Sequence, residues 1–292
     1  SSGKLWKFYL TLENSNNIVY VIPLEGDIVE AQTEIFSGEA NINVNETIAK
    51  LNTAKENKKI KAVVLRVNSP GGSALTSDII AEKVKELASE KPVYVSMSSV
   101  AASGGYYISA NANKIYVDRN TVTGSVGVVS VLVDYSSLLK DNGVNVEKIS
   151  EGEYSDLYSA DTFTEKKYNK IYNSNLKVYE DFLNVVSKGR KIDKERLKEL
   201  AEGRVWTGTE AVKNGLADEI GGLYSTIYAI TEDNNIDDYT VVLAKDKVEI
   251  GNIYKKYSRY IKMDKKDLIK TTVFKDYLYN KPVTYLPYDI LD

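Results

Sequence analysis

Twice in this chain a β-branched run passes through a glycine turn into an amphipathic helix, and that repeat limits the fold more than any other feature. The first unit is Ile60 to Val67 (IKAVVLRV), then Asn68-Ser69-Pro70-Gly71-Gly72. A helix is predicted from about Ala74 to Ala88, with Leu75, Ile79, Ile80, Val84 and Leu87 at helical spacing on one face. The second unit follows at once: Pro92 to Met97 (PVYVSM), a short turn to Ser103-Gly104-Gly105, and a helix through Tyr106, Tyr107 and Ile108. A strand rich in β-branched residues and without polar alternation at its centre reads as one covered on both faces, which is the habit of parallel sheets. Right-handed βαβ crossovers join such strands, so the expected class is α/β with a mainly parallel sheet flanked by helices.

The rest of the chain fits that scheme. Val19 to Leu24 reads as a strand and Asn45 to about Glu56 as a helix, with further strands at Ile115 to Val117, Val128 to Val133 and Val144 to Ile149. Residues 151–163 read as an exposed loop. Beyond them a long helix carries Tyr168, Ile171, Tyr172, Asn175, Val178, Tyr179, Phe182, Val185 and Val186 as its apolar stripe and ends near Lys188-Gly189. Shorter helices are expected at Asp193 to Glu202 and Thr209 to Asn214, with Asp193 and Thr209 as N-caps, and a strand from about residue 239 leads into a Lys/Tyr-rich tail. The expected domains are an extension or linker over 1–16, the α/β domain over 17–230 and a strand with a helical tail over 231–292.

Histidine and cysteine are both absent from the sequence. That excludes a Ser-His-Asp triad, a Cys-His dyad and a typical zinc site. Any nucleophile must be Ser or Thr, and its base a Lys, a carboxylate, a Tyr or an α-amine. A formal net charge of -3 gives no field of one sign, which disfavours nucleic acid as a partner. No stretch approaches the roughly 18 consecutive apolar residues of a membrane span, so a soluble chain is expected. Ser1-Ser2-Gly3 reads as a possible expression scar on a fragment of something longer. No metal or cofactor is expected.

Three turns carry the candidate chemistry. In NSPGG, Pro70 lacks an N–H, while Gly71 and Gly72 reach backbone conformations closed to other residues and leave space for a carbonyl to approach N–H donors. A tight strand-to-helix turn explains those residues equally well. In Val100-Ala101-Ala102-Ser103-Gly104-Gly105-Tyr106 the small residues permit a sharp bend with the Ser103 hydroxyl at its apex. A lone serine at a helix start is ordinarily a cap. Coming one βα unit after NSPGG, Ser103 reads as a nucleophile, with the Gly104 N–H as a second oxyanion donor after those of the NSPGG turn. Ser69, Gly71 and Ala102 would line the substrate groove. Thr123-Gly124-Ser125-Val126-Gly127 is either a plain turn or one whose Ser125 hydroxyl orients a base.

Five segments resemble the signal peptide peptidase A (SppA) family, relatives of the ClpP and crotonase folds. They are LRVNSPGGS (65–73), PVYVSMSSVAASGGYY (92–107), TVTGSVGVV (121–129), SKGR (187–190) and GRVWTGTEAVKNGLAD (203–218), in family order and spacing. The resemblance covers roughly residues 17–230 and implies repeated ββα units of ClpP/crotonase type. It implies a Ser-Lys dyad with Ser103 as nucleophile, Gly72 and Gly104 as oxyanion donors, and Ser125 holding the lysine. The position matching the family lysine is Ser155, and no lysine stands between Lys148 and Lys166. A lysine base must titrate about three units below its ordinary 10.4, at a cost of ~4 kcal/mol, so a surface lysine will not substitute.

Two explanations fit. The chain is the serine-bearing C-terminal repeat of a tandem member whose N-terminal repeat supplies the lysine, or Ser155 replaces the lysine by engineering or in a natural pseudoenzyme. The resemblance further implies a peptide substrate such as cleaved signal peptides, assembly into homo-oligomeric rings or with a lysine-bearing repeat, and a bacterial membrane location through an anchor outside this chain, the domain facing out of the cytoplasm. Two other classes share the pattern: a crotonase-like acyl-CoA enzyme, against which the ASGGYY junction stands, and a peptide-binding scaffold with a vestigial site.

Overall fold

The computed structural model describes residues 16–30, 41–147, 149, 151–157 and 164–244. Residues 1–15 of the expected extension, and the tail from 245, lie outside them. In chain order, β1 (Asn17–Glu25), β2 (Asp27–Val29) and β3 (Asn41–Asn43) precede α1 (Val44–Glu56), which Asn43 caps by accepting the N–H groups of Asn45 and Glu46. The two glycine-turn units are β4 (Ile60–Ser69) with α2 (Ala74–Ala88), and β5 (Val93–Ala102) with α3 (Gly104–Ser109). Then come β6 (Lys114–Val117), β7 (Val122–Gly124), α4 (Ser136–Asp141), α5 (Glu165–Arg190) and α6 (Lys194–Leu200). β8 (Val205–Thr207), α7 (Gly208–Lys213), β9 (Glu219–Ile220), α8 (Leu223–Asp233) and β10 (Tyr239–Leu243) follow.

The main sheet runs β10-β1-β4-β5-β6-β9, and every ladder along that path is parallel. β4 is central, and its side chains explain why the run lacks polar alternation. Val63, Leu65 and Val67 face a core shared with Ile80, Val84 and Phe182, while Ala62 and Val64 face a second core with Val19, Ile227 and Ile230. Each aliphatic side chain of Val or Leu size so covered stabilises the fold by about 1.5–3 kcal/mol. The expected α/β class and parallel sheet are what this pattern produces.

β5 runs five residues beyond the predicted strand, directly into Ser103, because Val100, Ala101 and Ala102 pair in parallel with Val122, Thr123 and Gly124 of β7. β8 in turn pairs antiparallel with β7. This short side layer carries both serine turns.

Several expectations are corrected. Residues 128–133 and 144–147 are irregular rather than strands, since they find no neighbouring strand among the described residues. Their side chains are left in solvent: Val129 is 88% exposed and Val131 83%. On α2 the buried face is Thr76, Ser77, Ile80, Ala81, Val84 and Leu87, whereas Leu75 and Ile79 point outward. On α5 the predicted stripe is buried only at Ile171, Phe182 and Val186, joined by Lys167 and Leu183, while Tyr168 and Tyr172 are exposed. The helix continues through Gly189 to Arg190 and ends with Lys191 in the left-handed conformation. Gly189 is there for closeness rather than for ending the helix, as a methyl at that position would lie 2.2 Å from the Ala110 carbonyl oxygen. The cap of α7 is Thr207, not Thr209, and forms a capping box with Glu210. Asp193 caps α6 as expected.

Candidate active site

The two glycine turns meet at the carboxyl ends of β4 and β5, where ligands of open α/β sheets gather. Ser69 pairs with Ala101 across the β4–β5 ladder, and its buried hydroxyl accepts the N–H of Gly71 at 3.1 Å. Gly71 (φ 113°) and Gly72 (φ 144°) then take conformations that side chains rarely permit. A methyl group at Gly71 would lie 2.8 Å from the Gly104 nitrogen and 2.9 Å from the Ser103 Cβ. One at Gly72 would lie 2.2 Å from the Ile28 carbonyl oxygen. Ile28 bridges to this turn by donating to the Gly71 carbonyl and accepting from the Ser73 N–H, both at 2.8 Å. The N–H of Gly72 is thereby left on the side away from Ile28.

Ser103 has φ 52° and ψ -120°, and although it precedes α3 its side chain makes no cap hydrogen bond. The capping explanation for this serine therefore fails. Holding a non-glycine residue in such a region costs about 1–3 kcal/mol, and only over-determined surroundings maintain it. Those surroundings are explicit: the Ser103 N–H donates to the Gly124 carbonyl at 2.9 Å, its carbonyl accepts from Tyr107 N–H at 2.9 Å, and Gly71 packs against its Cβ. Gly104 is the first residue of α3, so its N–H has no acceptor within the helix. A methyl on Gly105 would lie 2.6 Å from the Ser69 carbonyl oxygen, which is why a second glycine is needed.

Ser125 also has positive φ, 51°, and its N–H donates to the Arg204 carbonyl at 2.8 Å. Beneath it, Thr123 Oγ1 donates to the Ala101 carbonyl at 2.7 Å. Trp206 of β8 donates through Nε1 to the Leu200 carbonyl at 3.0 Å, and its ring occupies the space a side chain at Gly124 would need.

Ser103, Gly104, Gly72 and Ser125 line one cleft of about 840 Å³. Gly71, Ser69 and Ala102 support its floor rather than line it. The remaining wall is one the sequence did not reveal: Gly127 to Ser130, the side of α5 that carries Tyr172, Tyr179 and Phe182, and the Glu202-Gly203 turn. Their signal was present only as apolar positions on α5 and a glycine before the WTG segment. Ser130 and Asn175 exchange hydrogen bonds of 3.1 and 2.9 Å across the cleft wall. Among the described residues no lysine or arginine lines the cleft. Tyr107 is no base, because burial and its hydrogen bond to Asp78 raise its phenol well above the ordinary value.

Ser155 is absent from the lining: it is exposed in a turn, and its hydroxyl donates to the Gly152 carbonyl at 3.0 Å. Lys166, nearby, is exposed and paired with Glu153, which raises rather than lowers its pKa. Among the described residues no cluster that could hold a metal occurs, and no helix is long and apolar enough to cross a membrane.

Two family profiles match this chain: Clp protease over residues 16–122 and peptidase family S49 over residues 85–237. Protease 4 of Haemophilus influenzae is 39% identical over 217 residues, covering 73% of this chain and 34% of that protein. The putative signal peptide peptidase SppA of Enterococcus faecium is 36% identical, covering 81% and 70% respectively. The chloroplastic serine protease SPPA of Arabidopsis thaliana is 35% identical, covering 79% and 34%. The chain thus spans about one third of two of these relatives. A membrane-bound stomatin-specific protease shares the fold at 16% identity, with a TM-score of 0.51 over 79% of this chain and 99% of that one. Fold and profiles define an α/β domain of the Clp-protease class. Within that class, the chain belongs to peptidase family S49, as the resemblance to SppA implied.

Proposed function

We propose that this chain supplies the acylating serine of a Ser-Lys peptidase that degrades short apolar peptides such as cleaved signal peptides, with its lysine coming from a second repeat. The observation that carries this reading is Ser103 itself: a strained, uncapped hydroxyl in the cleft that Gly72, Gly104 and Ser125 also line. Ser103 Oγ attacks the peptide carbonyl carbon, and the oxyanion is held by the N–H groups of Gly72 and Gly104. A neutral lysine, oriented by the Ser125 hydroxyl, takes the Ser103 proton and then delivers it to the leaving amine. Water hydrolyses the acyl-enzyme with the same lysine as base. The apolar walls from Val128, Leu176, Tyr179 and Phe182 suit apolar side chains.

The lack of a lysine among the described residues of the cleft, and the position of Ser155 outside it, support supply of the base from elsewhere. The exposed valines 129, 131 and 133 support a partner that covers them, whether a lysine-bearing repeat or further copies of this chain. Such an assembly would act at a bacterial membrane, outside the cytoplasm, through an anchor not among the described residues. The test is hydrolysis of a quenched apolar peptide by this chain combined with a lysine-bearing S49 repeat. Turnover that falls to background in Ser103→Ala supports the reading, and turnover unchanged in that variant rejects it.

A further inference from the structure

We infer that Glu202 makes the cleft select peptides carrying a basic side chain next to an apolar stretch; this rests on the cleft being the peptide site proposed above. Among the described residues lining it, Glu202 is the one of acidic or basic type. The rest are glycine, serine, alanine, valine, leucine, asparagine and aromatic residues. A single carboxylate among described lining residues that are otherwise uncharged biases the field of the groove toward negative.

The backbone at Glu202 is fixed at the edge of the cleft. Glu202 has φ 59°, an uncommon conformation for a residue with a long side chain. It is held there because the Gly203 N–H donates to the Val126 carbonyl at 3.0 Å and the Arg204 carbonyl accepts from Ser125 at 2.8 Å. Gly127 completes the contact, since a methyl at that position would lie 2.8 Å from the Gly203 nitrogen. Glu202 is thereby anchored to the Ser125 turn, and Val128 and Val129 continue the same wall. A peptide lying along that wall meets apolar surface and then a negative charge. Pairing of Glu202 with the catalytic lysine is disfavoured, because a neighbouring carboxylate raises a lysine pKa and the mechanism needs it lowered.

The experiment measures binding of fluorescein-labelled Ala/Leu peptides bearing one Lys, one Gln or one Glu to this chain, by anisotropy at low and high salt. Binding does not depend on turnover, so it reports on Glu202 even if Ser103 proves not to be the nucleophile. The Lys peptide should bind about two- to five-fold tighter than the Gln peptide at low salt, the size of an exposed ion pair, and the gap should close at high salt. Glu202→Gln should abolish the gap, Glu202→Lys should turn it in favour of the Glu peptide, and Glu202→Asn, which tolerates the left-handed backbone, controls for a disturbed turn. Equal binding of the three peptides, no binding of any, or a gap that persists in the variants overturns the inference.

Discussion

The Ser103 N–H donates to the Gly124 carbonyl at 2.9 Å, so the bend that exposes the Ser103 hydroxyl is hung from the turn that carries Ser125. Neither serine is positioned by its own element alone. β7 pairs with the last residues of β5, β8 pairs with β7, and the side layer places two strained hydroxyl residues in one cleft.

The glycines of the first turn should tolerate no side chain. Gly71→Ala should destabilise the protein by about 1–3 kcal/mol and lower Ser103 reactivity, because a methyl there meets the Ser103-Gly104 backbone and φ is 113°. Thermal melts and the peptide assay in the lysine-bearing assembly check both effects.

Trp206 backs the Ser125 turn. Trp206→Ala should cost about 3–5 kcal/mol, since the half-buried ring packs on Gly124 and its indole N–H satisfies the Leu200 carbonyl. Trp206→Phe should recover part of the packing without the hydrogen bond. Denaturant midpoints of the two variants separate these contributions.

Both glycine turns, both βα units and the parallel sheet were legible because each rests on local chemistry: β-branched runs, turn residues and helical periodicity. The roles of residues such as Val128, Leu75 and Tyr172 were not. Their apolar spacing reads the same whether a neighbour comes from this chain or another, and here no described element covers Val129 or Leu75. The length of β5 was hidden for a related reason, as Ser98, Ser99 and Ala101 are weak strand residues that extend only because β7 is there to pair. Glu202 had no sequence signature beyond the following glycine.

The outward valines should matter for association and not for folding. Val129→Ser with Val131→Ser should change stability by less than about 0.5 kcal/mol per site, as expected of exposed positions, while weakening self-association or binding of the lysine-bearing repeat. Light scattering and unfolding curves check the two halves of this expectation. A large loss of stability would show that the valines pack within the chain.

Asp233 ties α8 to the sheet by accepting from Lys114 Nζ and Tyr94 OH, both at 2.6 Å. Those partners, Lys114 first, hold its carboxyl below the usual 3.8. Because the folded value is depressed, the stabilisation is complete above that ordinary value and is lost as pH falls through the folded one. Asp233→Asn should therefore lower the melting temperature at pH 7 and flatten its decline on the acid side, with little difference from wild type at the lowest pH.

The most direct test is to map by mass spectrometry where a fluorophosphonate probe attaches. The expected result is slow or absent labelling of this chain alone and a stoichiometric adduct on Ser103 once a lysine-bearing S49 repeat is present, lost in Ser125→Ala. An adduct on another residue, or an unlabelled Ser103 in an assembly that cleaves peptide, would contradict it.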